Sequence, residues 1–226
     1  ENCISRYNEG PGFAVSGCNA LYFLNCDSYG NYDELRGGEN ADGFVITGGD
    51  WTGYSNTYEG CRSWNNSDDG YDTYSYKGIV TYNRCWSFAN GYGTAGDGVA
   101  FKLGDVTGPP PDLTVRRTLS NCLGFKNRAG IDEGQEGTDG DCVSINIYNN
   151  SFYDNYYRNY GFSAHEPTTG LIRIFNNLSY VDGEYGDAIR VDDQLTATAH
   201  SWQVATVTDA DFISVDTTGV SGARQS

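Results

Sequence analysis

A six-residue phrase recurs along this chain at uneven intervals. It reads Cys3-Ile-Ser-Arg-Tyr-Asn8, Cys26-Asp-Ser-Tyr-Gly-Asn31, Cys61-Arg-Ser-Trp-Asn-Asn66, Cys85-Trp-Ser-Phe-Ala-Asn90 and Cys122-Leu-Gly-Phe-Lys-Asn127. Two further copies, Asn150-Ser-Phe-Tyr-Asp-Asn155 and Asn177-Leu-Ser-Tyr-Val-Asp182, replace Cys by Asn, and the starts lie 23, 35, 24, 37, 28 and 27 residues apart. A constant unit with variable insertions is the signature of a solenoid, because a single repeat cannot bury its own apolar face and has to stack on its neighbours. Nine to eighteen residues after each Cys or Asn comes a Gly-aromatic or Gly-apolar segment at Phe13, Phe44, Tyr71, Val99, Ile131 and Phe162, with Ala188-Ile189 standing in at the end. Before most units runs an alternating segment such as Ala20–Leu24, Ile79–Tyr82, Val143–Ile147 or Leu171–Ile174. Three short strands per turn of about 25 residues describe an all-β fold, a parallel β-helix. No window carries a helical stripe.

Stacked coils give each recurring residue a column. The Cys column is expected to point inward as small, soft hydrophobes with free thiols; the chain has seven cysteines, an odd number that cannot pair completely within it. The column Asn31, Asn66, Asn90, Asn127, Asn155 falls at a turn, where Asn tolerates left-handed backbone and its amide bonds the equivalents above and below, an asparagine ladder. Tyr29, Trp64, Phe88, Phe125, Tyr153 and Tyr180 are expected to stack as core.

With 30 Gly, 18 Tyr and no Met, the composition favours turns and strands over helices. A net charge of −16 excludes nucleic acid as a partner, since no basic patch exists to release counterions, and nothing approaches a transmembrane span. Residues 1–226 read as one domain: about seven coils to residue 192, then a tail, 193–226, including Ser201-Trp202 and Val207–Phe212, that packs on the solenoid. The chain enters inside a coil with no polar cap, so it reads as the middle of a longer protein. Its open coil ends offer edges for end-to-end self-association.

The chemistry gathers in residues 40–102. Asp42, Asp69 and Asp97 each precede Gly and then an apolar or aromatic residue. On successive coils three such carboxylates would stack about 4.8 Å apart, and would either share protons or hold a cation. With Tyr71 and Val99 inward, Asp72 and Lys102 face outward on neighbouring coils, and Asp68 comes from the turn just before. Four aspartates with backbone carbonyls and water suit calcium, which takes oxygen ligands, better than zinc or magnesium; Lys102 would be a base beside it. An Asp-Asp-Gly run is also a common turn, an exposed lysine is commonly just solvated, and a purely structural calcium clip fits the same residues.

Leu35–Phe44, Cys61–Asp72 with its Asn-Ser-Asp-Asp-Gly-Tyr-Asp run, Gly96–Lys102, Asn121–Asn127 and Val207–Gly219 together resemble the polysaccharide lyases of family nine, right-handed parallel β-helix pectate lyases. The resemblance implies calcium ligands at Asp42, Asp68, Asp69 and Asp72, Lys102 as catalytic base, a secreted protein, and pectate or a related acidic polysaccharide as substrate. Thr47 stands where the family pattern leads us to expect lysine. Arg62 and Arg128 are the basic residues best placed to hold a polyanion. The implied reaction is calcium-dependent β-elimination. Two alternatives compete: a non-catalytic structural or carbohydrate-binding β-helix on the same scaffold, and a β-helical glycoside hydrolase using two carboxylates and water, in which Lys102 has no role.

Overall fold

The computed structural model describes residues 1–93, 95–104, 106, 108, 110–132, 143–162, 171–180, 184, 188–189 and 195–198. Their strands form three parallel sheets of seven, each ordered by coil along the axis. The first contains β1 (Ile4–Arg6), β4 (Asp27–Tyr29), β7 (Arg62–Trp64), β10 (Trp86–Phe88), β13 (Leu123–Phe125), β16 (Ser151–Tyr153) and β19 (Leu178–Tyr180). The second contains β2 (Phe13–Ser16), β5 (Phe44–Thr47), β8 (Tyr71–Asp72), β11 (Val99–Lys102), β14 (Ala129–Asp132), β17 (Tyr160–Phe162) and β20 (Ala188–Ile189). The third contains β3 (Tyr22–Leu24), β6 (Ser55–Glu59), β9 (Ile79–Asn83), β12 (Val115–Ser120), β15 (Ser144–Tyr148), β18 (Ile172–Phe175) and β21 (Leu195–Thr198). β21 pairs with β18, so one more solenoid strand lies within the expected tail; residues 199–226, with the rest of that tail, lie outside the described residues. Among the described residues the one helical element is a short 3-10 turn, Glu34–Arg36, and no helix is long and apolar enough to cross a membrane.

The recurring phrase is a strand held between two left-handed corners. The residue before each Cys or Asn has positive φ (Asn25 54°, Gly60 60°, Arg84 55°, Asn121 56°, Asn149 58°), and so does the residue before each ladder Asn (Gly30 69°, Asn65 52°, Ala89 54°, Lys126 54°, Asp154 52°). The left-handed position therefore precedes the ladder asparagine and is not the ladder residue itself. Turning the chain one residue early aims the Asn side chain into the stack. There the Nδ2 of Asn31, Asn66, Asn90 and Asn127 donates to the Oδ1 of the next Asn at 2.7, 2.9, 2.9 and 3.0 Å. Each backbone N–H at these positions donates to the same acceptor, so buried corners that a helix or sheet would leave unsatisfied are bonded from coil to coil. A second ladder continues the Cys column: Asn150 donates to Asn177 at 3.0 Å, and the N–H of Cys122 to Asn150 at 2.8 Å. Cys26, Cys61, Cys85 and Cys122 are buried free thiols, as expected, while Cys3 at the first coil is exposed.

Inward side chains form two aromatic columns. Phe13, Phe44, Tyr71 and Phe101 stack at 5.0, 5.0 and 4.7 Å, and meet edge-on a second column of Phe23, Tyr58 and Tyr82. Tyr29, Trp64, Phe88, Phe125 and Tyr153 do stack, at 4.2–5.6 Å, but as a separate cluster off the main core. The register corrects one expectation. Phe101, not Val99, pairs with Tyr71, and Lys102 pairs with Asp72. The shift is two residues, one full strand period, so facing is preserved.

Candidate active site

The acidic turn sits where the first sheet hands over to the second. Gly43 and Gly70 make the handover possible: a Cβ on Gly43 would lie 1.9 Å from Ser63 Oγ, and one on Gly70 2.0 Å from Ser87 Oγ. Those serines are themselves fixed by Nδ2 of Asn66 and Asn90. The ladder thus sets the height at which each Asp precedes its Gly.

Asp42, Asp68 and Asp69 converge, each offering a carboxylate oxygen within 4.8 Å of the others. All three are buried. Backbone amides hold them: Asp69 N–H donates to Asp42 Oδ1 at 3.1 Å, Val99 N–H to Asp69 Oδ1 at 2.7 Å, and Asn40 and Asp97 N–H to the two oxygens of Asp68 at 2.6 and 2.7 Å. Asp72 stands outside that convergent trio, its Oδ1 taken by Tyr74 N–H at 2.6 Å, yet it is the neighbouring charge that acts most on Asp42. Burial first, and then the charges of Asp72, Asp69 and Asp68, push Asp42 well above the ordinary carboxylate range. Burial likewise pushes Asp69 well up, against the pull of Lys102, and raises Asp72 to about 6.

Lys102 is buried, with Nζ 3.1 Å from Asp69 Oδ2 and 2.8 Å from Asp97 Oδ2. Burial alone would lower its pKa, but Asp69, Asp72 and Asp97 outweigh that and hold the ammonium above the ordinary lysine range. Asp97 is not the third rung of an aspartate stack. In the observed register Val99 occupies that rung, and Asp97, half exposed, reaches Lys102 from the loop segment 95–98 just before β11. Sequence reasoning missed this pairing; the clustered glycines of the loop were its available signal. A Cβ on Gly96 would lie 2.3 Å from the Ser67 carbonyl oxygen and 2.9 Å from Asp68 Cα, so glycine lets the loop lie against the acidic turn.

Arg62 is not brought to this cluster. It lies on β7 in the first sheet, and its guanidinium makes a bidentate pair with Asp27 at 2.9 and 2.5 Å. Arg128 lies nearer: it donates to the Gly96 carbonyl at 2.6 Å and to the Tyr157 hydroxyl at 3.1 Å. His165 and His200 lie outside the described residues.

The donor set fits a hard divalent cation. Among the described residues the convergent group consists of three buried carboxylates and includes no histidine or cysteine, with Lys102 Nζ 3.1 Å from Asp69. Calcium suits such oxygen donors and would relieve the burial and repulsion that now raise Asp42 and Asp69.

The family model described as a Pel9A-like, right handed beta helix region matches residues 1–177. The chain belongs to this family. The solenoid of this Pel9A-like chain is therefore right-handed, and the resemblance to family-nine polysaccharide lyases holds. It is 31% identical over 225 residues to Pectate lyase L of Dickeya chrysanthemi, spanning 96% of this chain and 49% of that protein. Pectate lyase PEL9 of Emericella nidulans is 28% identical over 253 residues, 99% of this chain and 57% of the relative. Among solved structures, pectate lyase Pel9A superposes with a TM-score of 0.80 at 27% identity, covering 99% of this chain and 54% of that one. A rhamnogalacturonan lyase superposes at 0.67 and 25% identity, covering 94% and 59%. The chain spans about half the length of the curated relatives it matches.

Proposed function

We propose that this Pel9A-like chain carries the active site of a secreted, calcium-dependent polysaccharide lyase that cleaves pectate or a closely related uronan by β-elimination. The observation that supports this most is the placing of Lys102 Nζ at 3.1 Å from a member of the convergent Asp42–Asp68–Asp69 group. Asp42, Asp68 and Asp69, with Asp72 beside them, would hold calcium. Bound there, calcium supplies positive charge that attracts the uronate carboxylate and acidifies the adjacent C5 proton.

Lys102 has the central task. Among uncompensated aspartates it keeps its proton and cannot act as a base. Where the aspartate charges are compensated, its burial lowers the pKa toward neutrality and a free amine becomes available. Nζ then takes the C5 proton, the C5–H electron pair becomes the C4=C5 double bond, and the C4–O bond breaks, its oxygen taking a proton from water. Asp97 stays on the ammonium side of this exchange and keeps Nζ aimed from the loop. Asn40, Asp97 and Val99 amides fix the carboxylates so that they do not rotate away as charge develops.

Mass spectrometry of polygalacturonate digests tests the reading. An unsaturated uronate at the new non-reducing end is expected. A saturated end would identify a hydrolase instead, and an intact polymer in calcium would leave a binding or structural β-helix.

A further inference from the structure

Beside the acidic turn, starting on its own coil and continuing past that of Lys102, an open groove of about 650 Å³ runs along the corners after the first sheet. Its walls come from four successive coils: Asn65, then Tyr92, then Lys126 and Arg128, then Tyr156 and Tyr157. The coils repeat at about the 4.8 Å strand spacing, a step comparable to one pyranose along an extended polymer. Whereas the whole chain has 30 Asp and Glu against 14 Lys and Arg, the described residues of this lining include one lysine, one arginine and no carboxylate. Such a local inversion of charge disfavours cations and favours an anion.

The aromatic rings define the rest of the ligand. Tyr156 is 62% and Tyr92 53% exposed. Tyr157 sits beneath the Arg128 guanidinium at 5.3 Å and edge-on to Tyr156 at 4.9 Å. Exposed tyrosine faces beside cationic groups suit a molecule with an apolar C–H face and a carboxylate, which describes a uronic acid residue. The groove also touches the proposed chemistry, because Arg128 donates to the carbonyl of Gly96, the neighbour of Asp97, whose carboxylate meets Lys102.

We infer that the groove bounded by Tyr92, Lys126, Arg128, Tyr156 and Tyr157 is an acidic-saccharide subsite that seats the polymer beside the Asp97–Lys102 pair. Lys126 supplies an exposed charge to the carboxylate, Tyr156 a ring to the sugar face, and Arg128 locks the groove wall to the Gly96 carbonyl. The inference rests on the lyase reading for the choice of a uronan, but binding is separable from chemistry.

Calorimetric titration of the full chain with saturated trigalacturonate, in chelator, tests it. Lys126→Asn removes the charge while keeping a residue that tolerates left-handed backbone, and Tyr156→Ala removes the ring. Each is expected to weaken binding at least about threefold, the size of an exposed charge or ring contact, with calcium affinity unchanged. Methyl-esterified trigalacturonate is expected to bind more weakly than the free acid. Unaltered affinity in both variants, or equal affinity for the ester, would overturn the subsite. Variants that lose binding in a chain that forms no unsaturated product would sustain the subsite and refute the lyase reading; product formation with binding unaltered in both would do the reverse.

Discussion

Asp97 and Lys102 are five residues apart in one chain segment, yet they meet head-on, carboxylate Oδ2 to Nζ at 2.8 Å. Lys102 is on strand β11, whereas Asp97 lies on the preceding loop, held by its own N–H on Asp68. One residue therefore joins the lysine, the acidic turn and the groove wall at Gly96.

Asp42→Asn should have opposite effects with and without calcium. In chelator the variant should be more stable than the wild type, because it removes a buried charge that three other aspartates repel. Its calcium affinity should fall by more than the roughly 10–100-fold associated with loss of an outer-shell partner. Denaturant midpoints and calcium calorimetry on the same samples read both signs; a variant that is less stable in chelator and binds calcium normally would contradict the site.

The pH dependence of Asp72 has a definite sign. Burial raises it to about 6, against about 3.9 in an unfolded chain. Between those values the folded state holds more protons, so this group makes the metal-free protein less stable as pH rises. Asp72→Asn should therefore gain stability relative to the wild type across that window and level off above it. Urea denaturation in chelator at several pH values checks this, and a relative loss across the window would contradict it.

Gly96→Val should separate activity from fold. Its side chain would run into the Ser67 carbonyl and Asp68 Cα, pushing the loop outward and carrying Asp97 off Lys102. Misplacement of about 1 Å near reacting groups costs on the order of 100-fold, so turnover should fall by about that factor, while strain of about 1–3 kcal/mol leaves the solenoid folded. Paired circular dichroism and rate measurements would show it. Full activity would mean that the loop contact is irrelevant.

Asn90→Ala should be a stability lesion. Asn90 is buried, donates to Asn127 and Ser87, and accepts from Asn66. Its removal leaves buried partners unsatisfied at about 1–3 kcal/mol apiece. Chemical denaturation should show a loss of at least one such step, and no loss would deny the ladder its role.

Most of the fold was legible because a solenoid writes its period into the chain: the spacing of Cys61, Cys85 and Cys122 is the spacing of coils. The ladder, the free thiols and the three-sheet plan follow from that period. Local backbone was harder to read, since the left-handed corner can be Gly30, Asn65, Ala89 or Lys126, and the corner's demand falls on φ more than on residue type. For the site, Asp42, Asp68 and Asp69 were readable because the coil period aligns them. Asp97 was not, because the longer run of residues between β10 and β11 shifts its Asp off the rung; the glycines there signal a close approach, and the packing of Gly96 on Asp68 shows where it leads. Arg62 looked free in the sequence because its partner, Asp27, lies 35 residues earlier and one coil away.

The central claim is that Lys102 acts as a base only when the aspartates beside it hold calcium. Ultraviolet absorbance of the unsaturated product on polygalacturonate tests it most directly, run with calcium, with chelator, and with Lys102→Ala in calcium. The account predicts a steady rise for the wild type in calcium alone, and a loss of about 100-fold or more in the other two arms, the scale of general-base catalysis. A rise that persists in chelator, or in folded Lys102→Ala that still binds calcium, would contradict it.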